Sequence, residues 1–314
     1  MKSFSLKHIL LIYLIIPLSF VVVLLDGLFF ENALKSVSIL NPHEWIWFDA
    51  IFGLPHVLMG SSLMLDTEYG QFYGRKLIYT CLFSLLLPFG IYFLGGIIFF
   101  IFIEFIVSIL HATGQSVGIL NLFCSKPKRL LKFWKFSMFM SSCLIFFKGI
   151  DFHYLKQLPV NYVSIVIDLL LICVLIGHFF VLKDTSTSKG KFFVWLNTLM
   201  VFSMYSLSAL GYTPLAVICI RFPHDITAFV FYTNHSYVRN KDVSHNHLNK
   251  IFSKIKISLK DLSWTLPLFF MGLAFILNDN KFFFLVGFIS YFHYISESFV
   301  WKKGGLHQKN ISLS

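Results

Sequence analysis

Ten apolar blocks limit what this chain can fold into more than any motif does. They run approximately over 8–25, 45–65, 77–94, 96–112, 133–148, 161–182, 192–210, 213–233, 262–277 and 281–300. A bilayer core about 30 Å thick takes roughly 20 apolar residues as an α-helix. Such a helix satisfies its own backbone polar groups, as hydrocarbon requires. A soluble helix would pair an apolar stripe with a polar face, and the run Ile9–Leu25 has no polar face. Composition agrees: 13% of residues are charged, against roughly 25% in a soluble domain. The sequence therefore predicts an all-α fold, a polytopic integral membrane helical bundle with about ten transmembrane helices. One transmembrane domain over 1–314 is the economical reading, since no fixed-period repeat or low-complexity tract interrupts it. The expected location is a bacterial inner or plasma membrane.

The first block follows Lys2, Lys7 and His8 and has no small-x-small cleavage pattern before Asp26. It reads as a retained first helix rather than a removed signal peptide. The five cysteines form no CxxC pair and sit mostly inside apolar blocks, as small buried hydrophobes do.

Charge then orients the blocks. With ten crossings and both termini in the cytoplasm, the inside segments are the N-terminal tail and the stretches near 66–76, 113–132, 183–191, 234–261 and 301–314. These segments, with Lys135 in the first turn of helix five, hold all 26 Lys and Arg except Lys35, Lys148, Lys156, Lys281 and the intrahelical Arg221. That asymmetry follows the positive-inside rule, so the net charge of +11 implies orientation and not nucleic-acid binding. The Lys-rich stretches 126–135 and 239–260 are expected to meet anionic lipid headgroups. The orientation depends on block two crossing fully, although it contains Asp49, Pro55 and His56. Two tight connections are expected, one at Gly95-Gly96 and one at Asn278-Asp279-Asn280.

Ionisable groups at membrane depth are costly and mark function. Asp49 and His56 are seven apart, one face of an α-helix. Glu104, Ser108, His111 and Gln115 form one polar stripe on an oily helix. The eighth block carries Arg221, Pro223, His224 and Asp225 and ends near His235. The tenth carries His293 and Glu297 at i, i+4. In the ten-helix topology these residues collect on helices of one direction, towards the inner leaflet. Several imidazoles with carboxylates nearby are what a buried metal site needs. The candidate ligands are His56, His111, His224, His235 and His293. Asp49, Glu104, Gln115, Asp225 and Glu297 are placed to orient them or to take part in catalysis. Arg221 and Arg239 are candidates for a substrate head group or an ion pair. The metal expected is non-haem Fe2+, with Zn and Cu as alternatives.

Gly53-Leu54-Pro55-His56, a histidine on a later helix, and Phe231-Tyr232-Thr233-Asn234-His235-Ser236-Tyr237-Val238-Arg239 together resemble the Brp/Blh type of bacterial and archaeal β-carotene dioxygenase. These are multi-helix membrane proteins with one histidine-held iron that split carotenoids to retinal. The resemblance covers three short patches. It implies His56, His111 and His235 as iron ligands, with His224 as the substitute for a histidine the family has after its His-Ser element. The patches depart from the family at Val57-Leu58-Met59, where a glycine and an acidic residue are usual, and at Asn240. The absence of HxxxH, HxxHH, HExxH and GxxxxGK[ST] argues against a di-iron desaturase, a zincin and an ATP-driven pump.

Two functions follow as expectations. One is an iron oxygenase that uses O2 on a lipophilic small molecule, carotenoid cleavage being one case. The other is a transporter or channel for a metal ion or proton-coupled solute, lined by the same histidines and carboxylates.

Overall fold

The computed structural model describes residues 10–37, 49–120, 129–149, 160–239, 246–254, 262–277, 280–300 and 306. Every apolar block predicted above is helical over its described part. The helices are α1 (Ile15–Phe29), α2 (Leu54–Leu63), α3 (Thr67–Ile97), α4 (Phe99–Leu120), α5 (Arg129–Gly149), α6 (Val160–Asp184), α7 (Ser188–Ala209), α8 (Thr213–Arg239), α9 (His247–Lys254), α10 (Leu262–Leu277) and α11 (Phe283–Val300). Among the described residues, eight helices are long and apolar enough to cross a bilayer. The protein is thus a polytopic α-helical membrane protein. The second and ninth blocks give only the shorter apolar helices Ile51–Leu63 and Leu266–Leu277. At about 1.5 Å per residue each rises roughly 20 Å or less, short of a full hydrocarbon core.

Over its described residues the second block changes helical form ahead of α2. Pro55 sits in the first turn of α2, where its missing N–H costs nothing. Ahead of it Asp49–Gly53 form a π-helical turn. Such turns bond i to i+5, so the seven-residue spacing of Asp49 and His56 no longer maps onto one face of an α-helix. α3 and α4 meet where the sequence suggested, at Gly96, whose φ of 71° and ψ of −167° end the helical path. A Cβ there would be strained, which is why glycine serves. The second expected connection is described only from Asn280, which opens the short 3-10 turn Asn280–Phe282; residues 278–279 lie outside the described set. Residues 240–245 and 255–260, and 121–128 ahead of α5, also lie outside it, and with them much of both expected lipid-binding stretches and Asn240.

Outward faces are apolar as lipid demands. Phe93 and Leu94 are each 82% exposed, where water would penalise them and acyl chains would not. Of the four described cysteines, Cys143 and Cys219 are buried, Cys173 is half-buried, Cys81 faces outward, and all are unpaired.

By its internal contacts the chain divides into two compact units. Unit 1 is Met1–Ser5, Trp45–Glu104 and Asp225–Ser314; unit 2 is Leu6–Glu44 and Phe105–His224.

In unit 1, α2 packs on α10 and on the second half of α8 through Leu54, Leu58, Met59, Leu63, Ala228, Tyr232, Leu266, Phe270 and Ala274. A second cluster joins Met64, Tyr69, Tyr73, Val300 and Leu306. In unit 2, α1 is tied to α7 by the Tyr13 hydroxyl, which donates to Asn197 Oδ1 at 3.1 Å. Asn32, held at φ 63° just after α1, accepts from the Tyr212 hydroxyl at 2.9 Å. α7 begins at Thr187, whose hydroxyl caps the Gly190 N–H at 3.1 Å. Phe105 and Phe146 stack at 4.0 Å between α4 and α5, and Thr213 donates to the Gly149 carbonyl at 3.0 Å. His178 is a core residue of this unit, bonded to Thr198 at 2.9 Å and edge-on to Trp195.

Candidate functional site

Unit 1 brings four of the expected residues together. His56 lies one turn into α2 and is 1% exposed. Its Nδ1 is 3.3 Å from Asp225 Oδ1 and 3.3 Å from the Phe52 carbonyl oxygen. Both partners only accept, so Nδ1 carries the proton and the Nε2 lone pair is kept for another role. His293, on α11, is fully buried. Its ring meets that of His56 edge to face, with centroids 5.2 Å apart and planes at 79°. Glu297, one turn further on, places Oε1 3.7 Å from His293 Nε2. The Tyr232 ring closes the same side of His293, at 6.2 Å between centroids. Glu104 lies near the Tyr291 hydroxyl of α11. Asp49 opens the π-helical turn, and its side chain lies outside the described set.

Residues of this set could hold a metal ion. Asp225 lies on His56 Nδ1 and so orients Nε2 as a donor, whereas Glu297 lies on the Nε2 side of His293, where both could bind one ion. Two donors of one ion, bound at about 2.1 Å, stand roughly 3 to 3.5 Å apart. The 3.7 Å between His293 Nε2 and Glu297 Oε1 is too long for a hydrogen bond and close to that separation. Two histidines with one carboxylate suit non-haem iron, and imidazole also suits zinc and copper.

Unit 2 holds a second buried pair. His111 on α4 and His224 on α8 meet edge to face with centroids 4.8 Å apart. Gln115 Oε1 lies 2.8 Å from His224 Nδ1, so the amide oxygen accepts and Nε2 again keeps its lone pair. The polar stripe expected on this helix is real: Ser108, one turn before His111, accepts from Arg221 Nη1 at 2.6 Å. Arg221 is thereby held on the polar face.

His235 has different company. It is 2% exposed, and its Nε2 is 3.2 Å from the Tyr69 hydroxyl. One turn on, Arg239 makes a two-pronged ion pair with Asp66, at 2.6 Å from Nε and 2.9 Å from Nη2. It also pairs with Glu68 and lies over the Tyr69 ring. Asn246 donates to the Ser62 carbonyl at 2.8 Å, and the His247 N–H to the Leu65 carbonyl at 3.3 Å. Burial, reinforced by the Arg239 charge, pulls the His235 imidazole down to about 4. Burial would raise the Asp66 carboxyl, but the Arg239 hydrogen bond and the Glu68 N–H outweigh it and hold it below its usual range. The same contacts raise the Arg239 guanidinium.

Sequence reasoning passed over Asp66, Glu68, Tyr69 and Asn246. The only local signal was an acidic pair at the head of an apolar span, which reads equally well as a helix start.

Comparison with protein-family models, with curated proteins and with solved structures finds no match for this chain. The geometry stands alone: a multi-pass membrane protein with buried histidine clusters that could hold a metal ion.

Proposed function

We propose that the protein is a membrane-embedded, histidine-ligated iron oxygenase acting on a lipophilic small molecule. The observation that carries this is in unit 1: two buried imidazoles, rings 5.2 Å apart, each with a carboxylate beside it. His293 and Glu297 are the paired donors, His56 adjoins them through its ring, and Asp225 orients His56. Bound iron would supply the activation of O2, which no side chain can provide. The residues around it do the rest. Asp225 holds the proton on His56 Nδ1 and so presents Nε2. Glu297 adds negative charge that favours a divalent cation. The Tyr232 and Tyr291 rings pack around His293 and Glu104 and keep water from a site inside an apolar bundle. A lipophilic substrate suits a site buried in an apolar bundle. The resemblance of the Pro55-His56 and His235-Ser236 patches to the Brp/Blh type makes a carotenoid the first substrate to try.

The test is the metal content of detergent-purified protein beside His56→Ala, His293→Ala and His224→Ala. Near-stoichiometric iron in the wild type, lost in the first two variants, is expected, with O2 consumption on adding β-carotene or a related polyene. The His224 variant reports separately on the pair in unit 2. A wild type that takes up no metal after anaerobic reconstitution with Fe2+ overturns the proposal. Metal flux into liposomes would then favour a transport path.

A further inference from the structure

Gly60 lies one turn beyond His56 on α2 and is buried. A methyl group there would fall within contact distance of His293 Cε1, 2.5 Å from His293 Nδ1 and 3.0 Å from Tyr232 Cε2. The backbone of α2 therefore touches the Cε1–Nδ1 edge of the His293 ring directly. Glycine is the residue that permits so close an approach.

The contact has a chemical consequence. The His293 ring has two nitrogens, and only the one facing the other donors can serve with them. Here Nε2 faces Glu297, while the Nδ1 edge lies against Gly60. A side chain at position 60 would push on a rigid ring and not on the flexible end of a long chain. The ring has little room to yield, because it is fully buried between Tyr232, Tyr294 and His56.

We propose that Gly60 is a positioning residue for the metal centre: by letting α2 lie against the Cε1–Nδ1 edge of His293 it sets where that ring stands and so how its Nε2 meets Glu297. The inference rests on the metal reading of unit 1 and names a requirement of it that no charged or ligating residue reveals. Gly287 supplies the comparison. It lies on the same helix as His293 and is also tightly packed, since a Cβ there would stand 2.8 Å from Phe100 Cζ and 3.4 Å from Pro88 Cβ, and the three atoms nearest it belong to Phe100 and Pro88, neither a candidate ligand.

The experiment compares the purified wild type with Gly60→Ala, Gly287→Ala, His293→Ala and the Gly60→Ala/His293→Ala double variant. Two quantities are read on each: Co2+ affinity by visible absorption and Tm in detergent. Gly60→Ala is expected to lose about 10- to 100-fold in Co2+ affinity, the range seen when the support of a ligating histidine is removed. Gly287→Ala is expected to lower Tm and keep the affinity. In Tm, the cost of Gly60→Ala should largely vanish once His293 is Ala, since the two changes meet at one contact. Wild-type affinity in a folded Gly60→Ala protein overturns the positioning role while leaving the metal reading intact. A Gly60 cost in Tm that persists in the His293→Ala background overturns the contact. A wild type that binds no Co2+ and no Fe2+ overturns the metal reading, and the positioning role with it.

Discussion

Asp225 Oδ1 lies 3.3 Å from Nδ1 of His56, and neither side chain is more than 1% exposed. A lone carboxylate so deep in an apolar bundle is costly. Beside an imidazole N–H it is partly compensated, and it turns the opposite ring nitrogen outward as a donor. Replacing Asp225 by Asn keeps the shape and removes the charge. Asp225→Asn should weaken metal binding by about 10- to 100-fold without unfolding the protein, as metal titration and size-exclusion profiles of the purified variant would show.

The Asp66–Arg239 pair should matter more for stability than Glu68–Arg239. Arg239 and Asp66 are 9% and 3% exposed, whereas Glu68 is 48% exposed. Removing one partner of a buried pair costs about 3–5 kcal/mol, and a surface pair is worth about 1 kcal/mol or less. Arg239→Ala should therefore lower Tm by several times the effect of Glu68→Ala. Arg239→Lys should not restore it, because an ammonium cannot grip Asp66 with two parallel bonds. Thermal unfolding in one detergent compares the three.

Acid should loosen the same corner. The His235 imidazole ionises near 4 in the folded protein against 6.5 for an ordinary histidine. The unfolded chain thus binds a proton that the folded chain refuses between those values, and stability falls as pH drops from about 6.5 towards 4. Asp66, held below its ordinary 3.8, adds its own loss only at still lower pH. Tm measured from pH 7 to pH 4.5 should decline, and His235→Gln should flatten that decline.

Gly96 and Gly74 should respond oppositely to alanine. Gly96 has φ 71°, where a Cβ is strained by about 1–3 kcal/mol. Gly74 lies within α3 with nothing inside 4 Å of a new Cβ, and there alanine gains about 0.5–1 kcal/mol of helix preference. Gly96→Ala should lower Tm and Gly74→Ala should hold or raise it.

What could be read from the sequence and what could not divide along physical lines. Helices in hydrocarbon are written locally, as runs of apolar residues, so each block was found and the Gly96 break with them. Burial at membrane depth is also local in its signature, so His56, His111, His224 and His293 stood out as ionisable residues in oily helices. Partnership is not local. His235 looked like the other histidines, yet the Tyr69 hydroxyl that bonds it lies 166 residues away in the chain. Asp66 gave no hint of Arg239. The π-helical turn before Pro55 altered the phase of the very spacing used to put Asp49 beside His56. Gly60 carries no chemical group at all, so its role emerges only when the ring of His293 is set against it.

The order in which unit 1 and unit 2 are completed differs from the order of their first residues. A ribosome delivers the chain from its N-terminus, and domains settle as their parts emerge. Unit 2 has all its residues once His224 has been made, whereas unit 1 begins at 1–5 and 45–104 and resumes only at Asp225. α2 and α3 must therefore enter the membrane and wait, with Asp66 bare of its guanidinium, through the synthesis of more than a hundred further residues. Their partner helices and the arginine that locks them arrive last, so translation arrested before Arg239 should leave a finished unit 2 beside an unclosed unit 1, and membrane quality control would meet that half-built state in every round of synthesis.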